Sequence, residues 1–270
     1  MSEAAVPALR SAVERLGRAT VDFIEEFGYF LALTVESLYW IFAGPFIRQP
    51  VRLAAAFEQM AAIGVAAIPI VFILSFSVGV MLAIQGIHTL ETFGAEGQVV
   101  LGIALSVARE FAPLITGVLV AGRSGSALAA RIGTMQVSQE IDALRVMGIN
   151  PVRYLVAPVM VAMLVMMPTL TFLADLAGFF GGAVFCNLEL GLGYDAYRVQ
   201  TVDILEVEDV MQGLIKSLVF AVIITLVGVA NGFSVTGGAE GVGRATTRSV
   251  VMSISYIVIA DMIFTYFLNR

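Results

Sequence analysis

The chain has 270 residues, 59% of them hydrophobic and only 13% charged, with a formal net charge of −6. Soluble domains carry about 25% charged residues, so this chain has too little polar surface to cover a water-soluble globule, and lipid is its expected solvent. A single cysteine (Cys186) and a single histidine (His88) exclude an intrachain disulfide and multi-histidine or thiolate metal sites, and the acidic balance offers no general attraction to nucleic acid.

From the N-terminus, residues 1–7 lack the basic start and apolar core of a cleaved signal peptide. Arg10, Arg15 and Arg18 lie with Glu14 on a polar helical stretch. Residues 27–47 are dense in aromatic side chains, contain Glu36 and run into Gly44-Pro45, a composition that suits a helix lying in the headgroup region. A sixth span is the alternative there.

Five apolar runs then reach the length of about 20 residues that a crossing needs. Residues 61–84 have no charge, and 99–122 hold only Arg109 and Glu110. Residues 154–186 hold Asp175 with Pro158 and Pro168, 213–233 hold Lys216, and 249–268 hold Asp261. Backbone groups must be satisfied within lipid, and these runs lack the alternation of a barrel strand, so the spans are helices. The expected fold is an all-α membrane protein. Residues 1–60 form an N-terminal cytoplasmic and interfacial part, and residues 61–270 a five-span domain.

Charge orients it. Residues 1–60, 123–153 and 234–248 carry eleven arginines, whereas 86–98 and 187–212 carry eight acids and one arginine, Arg198. Basic loops stay inside, so the N-terminus is expected in the cytoplasm and the C-terminus on the opposite face. A span at 27–47 would carry Arg10, Arg15 and Arg18 to the wrong side.

The connection 123–153 between spans two and three contains a short amphipathic helix. Ser138 suits an N-cap, Glu140 and Asp142 favour the first turn, and Val137, Ile141 and Leu144 share one face. Gly148 suits a left-handed cap, and Asn150-Pro151 stops the helix. Its apolar face fits either the membrane or another protein.

The run Gln139-Glu-Ile-Asp-Ala-Leu-Arg-Val-Met-Gly-Ile-Asn-Pro-Val-Arg153 resembles the signature loop of the MlaE-like permease family, membrane subunits of ABC transporters that work with MCE proteins on lipids. Ala108-Arg-Glu-Phe-Ala-Pro113, Ala121-Gly-Arg-Ser-Gly-Ser126, Leu214-Ile-Lys-Ser217 and residues 238–248 are similar to that family too, in the same order. The resemblance runs from Ile63 to the C-terminus. It implies an N-terminal interfacial helix, five spans, a homodimer and a location in the bacterial inner membrane. It also implies a cytoplasmic ATPase engaged through Glu140, Ile141, Asp142, Leu144, Arg145 and Met147, and a periplasmic MCE-domain protein on the opposite face. Some such systems add a small STAS-domain subunit. Leu82, Leu90 and Phe93 match a stretch that lines the family's lipid pocket at the periplasmic mouth.

A phosphate-binding loop needs Gly-Lys, and the one lysine, Lys216, follows Ile215. The chain is therefore expected to be non-catalytic and to hold no cofactor, with ATP and magnesium in a partner. The charges inside the spans have two readings. Arg109 and Lys216 meet a phospholipid phosphate in a polar cavity with Glu110, or the charges form interhelical ion pairs, which suits Asp175 and Asp261 best. Gly122-Arg-Ser-Gly125 matches the short pattern of an intramembrane protease, but His88 lies on the opposite side of the bilayer from Ser124, so no dyad forms. Residues 237–243 read as a cytoplasmic turn before Arg244 and Arg248, and His88 as a loop residue. The leading expectation is a permease subunit that moves phospholipid. The alternatives are an ATP-independent transporter that relays ions through the buried charges, and an assembly scaffold.

Overall fold

A computed structural model describes residues 5–44 and 52–268, and every regular element among them is a helix. Residues 1–4, residues 45–47 at the end of the aromatic stretch, and the side chains of Arg10, Glu14, Arg15 and Arg18 lie outside what is described. The helix α1 (Ala5–Phe42) contains one apolar part, Gly28–Phe42, which is too short to cross the membrane alone. Five longer segments can cross: Leu53–Glu91, Val99–Val137, Val152–Leu190, Val207–Phe233 and Gly238–Leu268.

These five contain the five expected runs, and each is longer. The first is broken into α2 (Leu53–Ile63) and α3 (Ile68–Glu91) by a tight turn at Val65–Ala67. Pro69, without an N–H, sits in the first turn of α3, where that loss costs least. His88 is in the last turn of α3 and exposed, so it belongs to a helix and not to a loop.

The second, α4 (Val99–Val137), does not stop at residue 122. Small residues allow it to continue in helical form through half of the expected connection. The third is α6 (Val152–Leu190), and α7 (Tyr194–Ile204) is a helix within the expected outside segment 187–212. The last two are α8 (Val207–Phe233) and α9 (Gly238–Leu268). Gly241 and Gly243 lie within α9, and only Gly237 and Gly238 take left-handed angles, so the expected turn at 237–243 is much shorter.

The tightest packing is between α3 and α6. A Cβ on Gly79 would strike the carbonyl of Gly178, and one on Gly181 would strike the carbonyl of Phe76. In lipid, where no hydrophobic force joins helices, such close backbone approach supplies the van der Waals attraction. Gly178 also meets Val107 of α4, which brings three helices to one seam. By contrast α9 buries one thin stripe, Ser249, Ser253, Ile257 and Asp261, at intervals of four. Its remaining faces expose Val258, Ile259 and Met262.

The short helix between α4 and α6 is α5 (Glu140–Val146). Gln139 precedes it with φ 59, a left-handed conformation that breaks the helix from α4. For that reason Val137 is 44% exposed and does not share the face on which Ile141 and Leu144 are buried. Ser138 does not cap; its hydroxyl donates to Thr134 O and to Glu140 Oε1. The C-terminus follows expectation. Gly148 has φ 74 and donates to Arg145 O, while Ile149 donates to Leu144 O, the paired bonds of a left-handed helix stop. Asn150 Oδ1 then accepts from the N–H groups of Val152 and Arg153 and starts α6.

Candidate functional site

The middle of α4 has a wide π turn at Val107–Phe111 that carries Arg109 and Glu110. Its cause is local. Pro113 has no N–H to give the Arg109 carbonyl four residues back, and the Lys216 ammonium of α8 donates to that carbonyl at 3.0 Å. A second π turn, Val152–Val156, also precedes a proline, Pro158. Such turns recur at functional sites. Arg109 lies ten residues into α4, about 15 Å from the start of a 39-residue helix that is longer than the hydrocarbon layer it can cross.

Although adjacent in sequence, Arg109 and Glu110 find different partners. Arg109 Nε donates to Asp209 Oδ1 at 2.7 Å. Asp209 is also the third residue of α8, where its other oxygen accepts from the Glu206 N–H at 2.9 Å, half of a capping box. Glu110 meets Lys216 at 2.7 Å, and Lys216 lies 3.0 Å from Asp261 of α9 as a second ion pair. Lys216 Nζ donates to Thr265 Oγ1, and that hydroxyl donates to Glu110, each at 3.0 Å. The three groups close a ring.

An ammonium has three N–H donors, and Glu110, Thr265 and the Arg109 carbonyl take them. Lys216 is only 1% exposed. In this arrangement the three donors of Lys216, expected from sequence to meet a phosphate, are all taken within the chain. Arg109 is different: its side chain is 33% exposed while Asp209, its counter-ion, is buried. It is the cation that this arrangement presents outward.

Asp261 forms the interhelical ion pair expected of it. Asp175 does not, since among the described residues neither carboxylate oxygen has a hydrogen-bond partner, although the residue is buried in α6. Asp209 and Thr265 escaped the sequence reading. Asp209 falls before the apolar run and counts there as an outside acid; Glu206-x-x-Asp209 ahead of an apolar stretch was its signal. Thr265 continues the four-residue spacing of Ser249, Ser253, Ile257 and Asp261.

The remaining predicted positions are elsewhere. Leu82 and Leu90 are half-buried on α3 against the core, and Phe93, in the following turn, is 78% exposed. On α5, Glu140, Asp142, Arg145 and Met147 face outward, with Asp142 and Arg145 paired at 3.2 Å. Ile141 and Leu144, predicted with them, are buried against their own chain and anchor the helix.

Comparison with known proteins places this arrangement in context. Residues 56–267 match the family described as Permease MlaE. The chain is 34% identical over 255 residues to a probable ABC transporter permease protein of Rickettsia typhi, covering 94% of this chain and 96% of that one. It is 37% identical over 209 residues to a probable ABC transporter permease protein of Synechocystis, covering 77% and 80%. It is 31% identical over 254 residues to the intermembrane phospholipid transport system permease protein MlaE of Haemophilus influenzae, covering 94% and 95%.

Proposed function

The chain belongs to the MlaE permease family, and on that premise we propose that it carries phospholipid between the inner membrane and a periplasmic MCE-domain protein. It is a multi-pass permease subunit of an ABC transporter. Cargo and carrier are the further step, supported by the Haemophilus relative's name as part of an intermembrane phospholipid transport system. The observation that carries the proposal is the one-third-exposed Arg109 guanidinium, held within a candidate membrane span on a wide turn by a buried counter-ion. A planar guanidinium binds phosphate through two parallel hydrogen bonds, and a phospholipid headgroup is the phosphate that a membrane supplies.

The energy comes from a cytoplasmic ATPase that contacts the outward face of α5 through Glu140, Asp142, Arg145 and Met147. A push on α5 reaches α4 across Gln139 and moves the turn that bears Arg109. Two copies of the chain enclose the path, with Leu82, Leu90 and Phe93 at its periplasmic mouth. The N-terminus and α5 lie in the cytoplasm, and a STAS-domain subunit is an additional candidate partner.

The test is lipid transfer by the transporter purified with its partners in nanodiscs. Arg109→Ala is expected to lower transfer at least about tenfold, the loss of one charged hydrogen-bonded contact, with assembly intact. Unchanged transfer would remove the headgroup role. Purification of this chain without an ATPase, together with ion-driven uptake, would favour the ATP-independent alternative.

A further inference from the structure

Asn150 stands at the joint between α5 and α6 and uses both ends of its amide. Its Oδ1 accepts from the N–H groups of Val152 at 2.8 Å and Arg153 at 3.2 Å. Those two donors fix the orientation of the amide, because its nitrogen could not accept them. Nδ2 is thereby turned to Glu36 of α1 and donates to its Oε1 at 2.7 Å, a charge-assisted bond in a partly buried place. On the other side the chain is pinned to α5, since Ile149 donates to Leu144 O at 2.9 Å. One side chain thus joins three helices.

Two further contacts lie beside it. The Arg153 guanidinium stands 5.3 Å from the centre of the Trp40 ring, a cation–π contact from α6 to α1. The Tyr29 phenol, two turns before Glu36, is within electrostatic range of both Glu36 and Arg145 of α5. Toward the bundle α1 buries Leu33 and Ser37, while Ile24, Leu31, Val35 and Phe42 stay exposed. A helix seated on so narrow a face can shift as a body. Its contact with α9 is aromatic: the Phe30 ring meets the Tyr256 ring edge-on at 6.2 Å. Tyr256 lies about 7.5 Å along α9 from Asp261, and α9 also carries Thr265, the other group it supplies to the ring around Lys216.

We infer that α1 is a second arm moved by α5, with Asn150 as the positioning residue that joins them and Tyr256 as the point where the arm meets α9. The route across Gln139 moves Arg109 and Glu110 from the α4 side. The route through α1 moves Asp261 and Thr265 from the α9 side, so one displacement of α5 reaches both halves of the charge network. The inference rests on the reading of α5 as the ATPase contact and is independent of the cargo.

The experiment uses the intact transporter, purified with its partners in nanodiscs. Nitroxide labels on Val35→Cys of α1 and Val202→Cys of α7, both exposed positions, report their separation by double electron–electron resonance. Cys186 is buried and stays in place. Trapping with ATP and vanadate is expected to shift the separation by at least about 2 Å, the scale of helix shifts in switching proteins. Asn150→Asp keeps the start of α6, since Asp and Asn cap alike, but sets two carboxylates face to face where the bond was. The shift is then expected to vanish while ATP hydrolysis continues. Glu36→Gln alone keeps an acceptor and keeps the shift. Asn150→Asp combined with Glu36→Gln exchanges donor and acceptor, and the shift is expected to return, which a purely structural role for Asn150 would not produce.

A labelled wild type that does not respond to nucleotide overturns the inference. So does a shift that survives Asn150→Asp, or a double variant that fails to restore it. The reading of α5 fails by a different sign. If an ATPase still copurifies with the Arg145→Glu, Met147→Asp chain, the drive enters elsewhere and both readings fall. Loss of the ATPase from that chain, together with an unresponsive Val35 label in the wild type, keeps α5 as the contact and removes only the arm.

Discussion

At the scale of single residues, the charges inside the membrane divide by whether a partner exists. Lys216 balances Glu110 and Asp261, so its removal leaves two carboxylates facing each other in a low-dielectric interior. Lys216→Ala is expected to cost roughly 3–5 kcal/mol, the usual penalty for breaking a buried pair, read as a lower midpoint of unfolding in detergent. Removing Glu110 as well, by Glu110→Gln with Lys216→Met, should recover part of that loss. Asp175 has no donor to lose. Asp175→Asn keeps its shape and removes a buried acid that has no partner, so the midpoint of unfolding in detergent is expected to stay level or rise. Tyr197 of α7 has a phenol buried without a hydrogen-bond partner, and burial raises its pKa above the ordinary tyrosine value. The folded chain therefore keeps a proton that the unfolded chain releases. Its contribution to stability is full below about pH 10 and declines as pH rises above it. Tyr197→Phe should flatten that decline in a thermal melt. The sequence exposed Arg109, Glu110 and Lys216 because a charge in an apolar run stands out. It hid Asp209, whose place at a helix start resembles any solvated cap, and only the structure pairs it with Arg109.

Among the elements, the centres of the five spans were legible from hydropathy because lipid sets their minimum length. Their ends were not. Small and polar residues such as those of 126–137 form helix as readily beyond the bilayer as within it, so α4 overruns the apolar run. The break after Val137 was equally hidden, since it depends on one left-handed residue, Gln139, that is not glycine. The wide turn at Arg109 is traceable to Pro113, and that gives a direct test. Pro113→Ala restores an N–H that competes with Lys216 for the Arg109 carbonyl. The expected result is a narrowed turn, lipid transfer reduced by about tenfold, comparable to one charged contact, and normal assembly on a sizing column. The face of α5 gives another. Arg145→Glu with Met147→Asp should abolish recovery of the ATPase while the chain stays folded. Ile141→Ser, in contrast, removes an anchor and should lower stability by about 2–4 kcal/mol, as an apolar side chain buried in a core is lost.

At the scale of the whole molecule, eleven arginines on one side and eight acids on the other give the expected orientation. Val146 and Val202 are both exposed, the first just beyond the arginine-rich ends and the second on α7. Val202→Cys in intact spheroplasts should react with an impermeant maleimide, and Val146→Cys only after lysis; the opposite pattern would invert the topology. The N-terminal helix belongs to this large-scale picture as well. Asn150, next to the end of α5, donates to Glu36 of α1 at 2.7 Å, and Arg153 lies over the Trp40 ring. Composition suits α1 to the interface, but it could not show that α1 is fastened to the segment that follows α5.

The glycine seam between α3 and α6 has its own consequence for how this chain can change over generations. Gly79, Gly178 and Gly181 have no room for even one methyl group, because the opposing atoms are backbone or a branched side chain and have nowhere to retreat. Lipid-facing positions such as Val258 accept any apolar substitute. In a library of all single substitutions, tolerance would thus be lowest at the smallest residues and highest at many of the largest. The seam is a part of this protein that random drift cannot edit, and Gly213, whose Cβ would strike the Ala108 carbonyl, shares that constraint.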